Sequence, residues 1–473
     1  MILTRAALRA LAAALCAIIA VVWGIAWFAH SAEAEYLVAA RALAEGRGYV
    51  VANLPTPIAQ TGFPPLFPAL LALWSLVSTA PVWLKALPII CSAVWLALTW
   101  KLLRKMGAGI PGAALIVFLS AAAPGVITRG ANLFADPLFA LLLTASLIFL
   151  LDGRSALAGA AAGLATLASA AGIPLIAASM LTLVIRRRLR EAILFTIPAI
   201  LLVAPWFGWA LAHGAHDPGS GITQWSASNI ITTLEPGDKL IVLLRNFPML
   251  FGSPFALLSG VQNPIATGVT ALLVIICLIR KRHLLPDLFL LFYALMLLFR
   301  IGPPERFVAP VLPLALWIVW RVAAIVRWQE AVAAGALLLA AVPLVQDFQH
   351  WRQRRADPWP EMQSLFAAIR AHTEPDAVLA ANHAPLVYLE TGRKCVRSFD
   401  PAPFDLYYSP RAFVLAPDQL SLSLMRNGVS YLALTPRDTA EYEAVAALER
   451  GGMLEPILIK RLPRGYQVLR VIR

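Results

Sequence analysis

Apolar runs about as long as a bilayer is thick, cut by prolines and glycines and separated by short basic clusters, constrain this chain more than any other feature. The run from Ala10 to Ala29 spans about 20 residues, enough at ~1.5 Å per residue to cross a ~30 Å hydrocarbon layer. Hydrophobic residues make up 60% of the 473 positions and charged residues 14%, with a mean hydropathy of +0.74, which excludes a soluble enzyme of ordinary composition. The 35 prolines and 28 glycines exclude a bundle of straight helices, because they fall inside and beside the apolar stretches. Helices broken within a membrane usually line a cavity.

The net charge of +13 does not point to nucleic acid. Residues 1–345 hold 23 Lys and Arg against 12 Asp and Glu, whereas 346–473 hold 16 against 14. Fifteen of the 23 lie between apolar runs, around Arg5/Arg9, Lys101/Arg104/Lys105, Arg154, Arg186–Arg190, Arg280–Arg282 and Arg321/Arg327. That is the pattern of loops retained on the cytoplasmic side. Arg5 and Arg9 ahead of an apolar run also fit a secretory signal, but the length of the run and the lack of an Ala-x-Ala site before a soluble domain favour an uncleaved anchor. Cys16, Cys91 and Cys277 fall in apolar spans and Cys395 in the tail, so neither a disulfide framework nor a metal spacing is present.

Crossings are expected near 10–29, 82–100, 110–125, 134–151, 156–170, 172–185, 191–212, 264–279, 284–299, 306–320 and 331–345. With eleven crossings and the arginine clusters inside, the amino terminus is cytoplasmic and the tail lies outside, as in a bacterial inner-membrane protein. The stretch from Pro65 to Ser78 is expected to re-enter or lie on the surface, since a full crossing there would put Lys101, Arg104 and Lys105 on the wrong side. The expected architecture is a polytopic α-helical membrane domain, 1–345, with an outer loop over 30–81. A small extracytoplasmic α/β domain follows, 346–473. In that tail, Trp359–His372 and Thr439–Arg450 read as helices, and 377–381, 429–434, 457–462 and 466–472 as strands.

Eight acids of the membrane part fall on the outer side: Glu33, Glu35, Glu45, Asp136, Asp217, Glu235, Asp238 and Glu305. Carboxylates at the rim of apolar helices are costly to bury and mark candidate sites. Asp136, in Ala135-Asp136-Pro137, fits a helix cap equally well. His213, His216 and Asp217 suggest a metal, but the following Pro218-Gly219 favours a polar turn. The aromatic patches around Trp225 and Phe247–Phe255 fit an outer loop with interfacial anchors.

The segment Glu33-Ala34-Glu35-Tyr36-Leu37-Val38-Ala39-Ala40-Arg41, continuing to Gly46-Arg47-Gly48-Tyr49 and then Gly62-Phe63-Pro64-Pro65-Leu66, resembles the first outer loop of GT-C glycosyltransferases that use polyprenyl-phosphate sugars. Protein O-mannosyltransferases and aminoarabinose transferases belong to that family. Ala135-Asp136-Pro137-Leu138 resembles its second acidic motif, and Arg186–Trp206 its basic loop and next span. Arg306-Phe307 through Leu312-Pro313 resembles its late Arg to Leu-Pro stretch, and Thr391-Gly392-Arg393 its outer domain. In register with Tyr36 and Arg41, Glu33 takes the place of the family's Glu, Ala32 stands where its leading Asp would be, and Gly62-Phe63 replaces a Glu-Lys.

The resemblance implies a GT-C fold and an inverting transfer of one sugar from a polyprenyl phosphate to a lipid, glycan or protein acceptor outside the membrane. It makes Glu33 the base, since residues two apart on a helix point about 200° apart, with Glu35 as its substitute and Asp136 as a second catalytic acid. Arg306 and Arg129 are the first candidates to hold the lipid phosphate, because a guanidinium presents a fork to phosphate oxygens, with Arg245 and Lys85 behind them. Such rim cations also snorkel to headgroups without further duty. The composition requires no cofactor and leaves room for a divalent metal without indicating one. A transporter of lipid-linked sugar, or an inactive scaffold relative, remains the alternative.

Overall fold

The computed structural model describes residues 31–213, 235–261, 263–265, 267–272, 284–302, 304–325, 327–353, 359–399, 403–408, 415–436, 438–457, 462–463 and 465–472. The expected crossing at 10–29, most of that at 264–279, and His216 with Asp217 lie outside those residues.

The described chain opens with helix α1 (Ser31–Ala44), a short antiparallel hairpin β1 (Val50–Val51) and β2 (Ile58–Ala59), and helix α2 (Leu66–Ser75). Helix α3 (Pro81–Lys105) follows, and then α4 (Ile110–Ala122) and α5 (Pro124–Ala131), bent by 65° from one another. The bend follows from Pro124: proline disfavours the helical region for the residue before it, and Ala123 is extended at ψ 123°. Helices α6 (Asp136–Leu151), α7 (Ser155–Ala168), α8 (Ile173–Ile185) and α9 (Leu189–His213) come next, with a 3-10 turn at Ala170–Gly172 where Gly172-Ile173-Pro174 breaks the apolar block as expected.

Residues 236–259 overturn one expectation. They form helix α10 (Pro236–Ser259), long and apolar enough to cross a membrane, in place of an aromatic-rich loop. The prolines that suggested a loop fit the helix: one opens it at Pro236, while Pro248 and Pro254 are carried inside it. Helix α10 is not among the eleven crossings, so the side of the tail does not follow from that count. Helices α11 (Leu284–Leu298), α12 (Glu305–Val308), α13 (Leu312–Ile325) and α14 (Gln329–Gln353) complete a multi-pass membrane protein. Four long apolar stretches are found among the described residues, or five with the bent pair, alongside shorter apolar helices. Leu201, Leu211, Leu244 and Leu338 stay more than half exposed, as a face turned to lipid does.

The helical core is centred on fully buried Phe67, Phe134, Phe139, Phe195, Phe289 and Tyr293. Acids and bases near helix ends pair: Lys105 with Asp152, Arg188 with Glu191, and Arg321 with Asp287 at 2.7 Å. Between α7 and α9, Gly159 and Gly163 let the backbones approach closely, as small residues four apart do in membranes.

Residues 359–472 carry a mixed five-stranded sheet in the order β4-β3-β5-β7-β6, where β3 is Val378–Ala380, β4 Lys394–Val396, β5 Tyr431–Leu434, β6 Leu454–Pro456 and β7 Gln467–Val471. The three strands β4, β3 and β5 are parallel, and β7 and β6 antiparallel. Strand β6 lies just before the strand expected at 457–462, of which 458–461 lie outside the described residues. Helix Trp359–His372 has the expected bounds; helices Ala384–Thr391 and Pro417–Arg426 and strand β4 were not expected.

Beyond the carboxyl ends of the parallel strands, Asn382, Ser398, Asp438 and Glu441 meet. Asn382 Nδ2 donates to Asp438 at 3.1 Å, and Ser398 Oγ donates to Glu441 Oε1 at 2.7 Å. Burial pushes the Glu441 carboxyl up to about 7; Ser398 opposes this and Asp438 adds to it.

Two expectations follow. A Cβ at Gly159 would lie 1.9 Å from the Phe195 carbonyl oxygen, so Gly159→Ala forces α7 and α9 apart and costs about 1–3 kcal/mol, read as a lower melting temperature in detergent. Because Glu441 binds its proton more tightly folded than unfolded, its stabilisation is complete below the ordinary carboxylate range and is lost as pH rises through about 7, on the order of 3 kcal/mol. Glu441→Gln should flatten that part of the melting profile measured from about pH 5 to 8; an unchanged slope would refute the assignment.

Candidate active site

Helix α1 brings Glu33 to the turn between α5 and α6. The backbone N–H of Leu133 donates to Glu33 Oε2 at 3.3 Å, and the Glu33 side chain is completely buried. Three residues on, Asp136 opens α6 with Pro137 behind it. The N-cap position is Ala135, so Asp136 stands in the first turn of α6, where a carboxylate also favours the positive end of the helix dipole.

Two guanidinium groups flank that carboxylate. Arg129 Nη1, from α5, and Arg306 Nε, from α12, each lie 4.0 Å from Asp136 Oδ2. At that distance the charges attract without a hydrogen bond. Asp136 Oδ2 and Arg306 Nε are buried with no hydrogen-bond partner among the described residues. Phe134 holds both cations over one ring, Arg129 at 4.6 Å and Arg306 at 5.5 Å from its centroid. Arg306 also lies 5.2 Å from the Phe307 ring, on which Arg300 stacks at 3.8 Å. The Tyr36 hydroxyl, from α1, faces the same charges; burial pushes it up to about 12 although Arg306 beside it pulls it down.

A small cleft opens beside the cluster, lined by Arg129, Asp136, Ser92, Trp95 and Pro310 among others. Its walls are mostly apolar, and Arg129 and Asp136 are the charged groups on them.

The structure therefore gathers Glu33, Asp136, Arg129 and Arg306 from four helices. It separates the others. Glu35 points to the sheet unit and ion-pairs Arg397 at 2.8 Å, as the two-residue spacing requires. Arg245 is exposed on α10, and Lys85 is buried on α3 away from the cleft lining. Among the described residues no three His, Cys, Asp or Glu converge as a metal site. Phe134 and Tyr36 also adjoin the cluster, and no sequence signal marks either of them for that place.

The fold has solved counterparts. ArnT from Cupriavidus metallidurans in the apo state superposes with a TM-score of 0.58 at 14% identity, covering 96% of each chain. The same protein bound to undecaprenyl phosphate superposes with a TM-score of 0.52 at 13% identity, over 97% of this chain and 96% of that one. The chain has the GT-C fold. No family model matches its sequence, and no curated protein does. At such low identity the GT-C likeness is one of architecture, and the chemistry has to be argued from the cluster itself.

The shared ring gives a direct check on that cluster. Phe134→Leu keeps an apolar side chain but removes the ring face under Arg129 and Arg306, and should lower stability by about 0.5–2 kcal/mol per cation lost, seen in thermal unfolding at low salt. A loss no larger than that of Phe139→Leu, at a ring equally buried in the same core, would mean the Phe134 ring only fills space.

Proposed function

We propose that this protein is a glycosyltransferase that moves a sugar from a polyprenyl phosphate to an acceptor hydroxyl on the extracytoplasmic side, with inversion. One observation carries the reading: two carboxylates from distant parts of the chain are buried in one cluster with two guanidinium groups, beside an apolar-walled cleft, in a GT-C fold. That ArnT, a protein of like fold, has been solved bound to undecaprenyl phosphate supports a polyprenyl phosphate as the partner.

The chemistry asked of the cluster is a single displacement. The acceptor oxygen bonds to the anomeric carbon as the bond from that carbon to the phosphate oxygen breaks. Glu33 takes the acceptor's proton, and the polyprenyl phosphate departs with its negative charge held by Arg129 and Arg306. Asp136 sits between the two guanidinium groups and fixes where they point. The Arg306 guanidinium, held 4.0 Å from its carboxylate with its Nε unmatched, keeps a donor open for phosphate oxygens. No step requires a metal.

A transporter of lipid-linked sugar would need the same cations but no base in the cluster. The test is turnover of radiolabelled polyprenyl-phosphate sugars by the purified protein. Glu33→Gln should lose about 10²–10⁴-fold as the loss of a general base does, and Asp136→Asn should fall with it. Equal turnover in both variants, or movement of intact sugar-lipid without bond cleavage, would overturn the enzyme reading.

A further inference from the structure

Asn132 is the one neutral polar side chain in the turn that carries the site. It ends α5 in an extended conformation, its backbone oxygen accepting from Phe134 N–H at 2.8 Å. The side chain is completely buried, and neither its Nδ2 nor its Oδ1 has a hydrogen-bond partner among the described residues. A buried amide with both ends unmatched is costly and rare in proteins at rest. Nothing in the turn requires an amide there: the helix end is made by backbone geometry, and the turn's hydrogen bond uses the main chain.

The neighbours of Asn132 indicate what it serves. Arg129 lies three residues before it and Asp136 four residues after, while the next residue, Leu133, supplies the N–H that holds Glu33. Asp136 Oδ2 and Arg306 Nε are orphaned in the same cluster. In a single displacement the base and the leaving phosphate face opposite sides of the anomeric carbon, so the sugar ring must lie between the carboxylate and the guanidinium groups. A side chain offering both a donor and an acceptor on the short segment joining those groups suits vicinal hydroxyls, each of which both gives and takes a hydrogen bond.

We infer that Asn132 is a specificity residue that hydrogen-bonds hydroxyl groups of the donor's sugar, while Arg129 and Arg306 hold its phosphate. This rests on the glycosyltransferase reading and goes beyond it by dividing recognition between two sets of side chains. A site built to pair a hydroxyl discriminates strongly against ligands lacking it, because its own polar groups are then left unmatched.

The experiment compares binding of bare undecaprenyl phosphate with undecaprenyl phosphate carrying mannose, glucose, galactose or 4-amino-4-deoxyarabinose, using full-length protein in detergent. The wild type should bind at least one sugar-bearing lipid more tightly than the bare lipid. Asn132→Ala should weaken that lipid by about 10- to 100-fold while bare undecaprenyl phosphate stays within about twofold, a split that general loss of structure does not produce. Asn132→Leu, close in volume and apolar, serves where the alanine variant folds poorly. It should lose the same preference, with a melting temperature of the free protein equal to or above that of the wild type. Retention of the sugar preference in a folded Asn132 variant overturns the inference and leaves the glycosyltransferase reading standing. A wild type that binds neither the bare lipid nor any sugar-bearing one overturns the glycosyltransferase reading, and the inference with it.

Discussion

Burial of like and unlike charges in one apolar setting is the constraint around which this molecule is built. An isolated carboxylate or guanidinium away from water costs several kcal/mol, so each must be compensated by another placed with it. Glu33 is held by a backbone N–H, Asp136 by two cations, and those cations by an aromatic ring. None of these groups is stable in its place without helices from remote parts of the sequence. The cluster therefore ties the fold together, and it leaves Asp136 Oδ2 and Arg306 Nε unmatched among the described residues.

Around it the helices supply shape in place of specific bonds. Glycine on α7 allows close approach to α9, and Pro124 turns α5 away from α4, bringing Arg129 to the mouth of the cleft. A straight helix through residues 110–131 would carry Arg129 past the carboxylates, along the axis of α4. The proline thus acts at one remove on the electrostatics, by setting where a charge can stand. In a membrane such a break is tolerated only where neighbouring helices cover the exposed backbone, and most of α4 is buried accordingly.

How much of this was legible in the sequence depended on the range of the interaction. Helix starts at Pro81 and Asp136-Pro137, the break before Pro174 and the helix from Trp359 are local, and the residues that set them are adjacent in the chain. The choice of Glu33 over Glu35 was also local, because helical geometry sends residues two apart to different faces; one meets Leu133 and the other Arg397. Helix α10 was misread because proline and aromatic content signals a loop in water, whereas an apolar environment holds the same residues in a helix. The role of Phe134 and the isolation of Arg245 could not be read at all. They depend on which faces of α5, α6, α10 and α12 meet, and an arginine in an apolar sequence looks the same whether it snorkels or reaches a partner.

Helix α1 joins the two parts of the protein. Tyr36 and Ala40 pack into the helical core, while Ala34 packs against the sheet unit and Val38 and Ala42 reach its Tyr388 and Leu389. The same seam is sewn by polar contacts: Glu35 with Arg397, Asn53 with the Cys395 backbone, Lys394 with the Ala52 carbonyl and Arg47 with the Tyr388 hydroxyl. A helix wedged in this way cannot rotate without breaking contacts on both sides. Rotating it by the angle between Glu33 and Glu35 would break the Leu133 N–H bond to Glu33 and the Glu35–Arg397 ion pair together. The sheet unit therefore helps to hold Glu33 at the cluster, although none of its described residues lines the cleft.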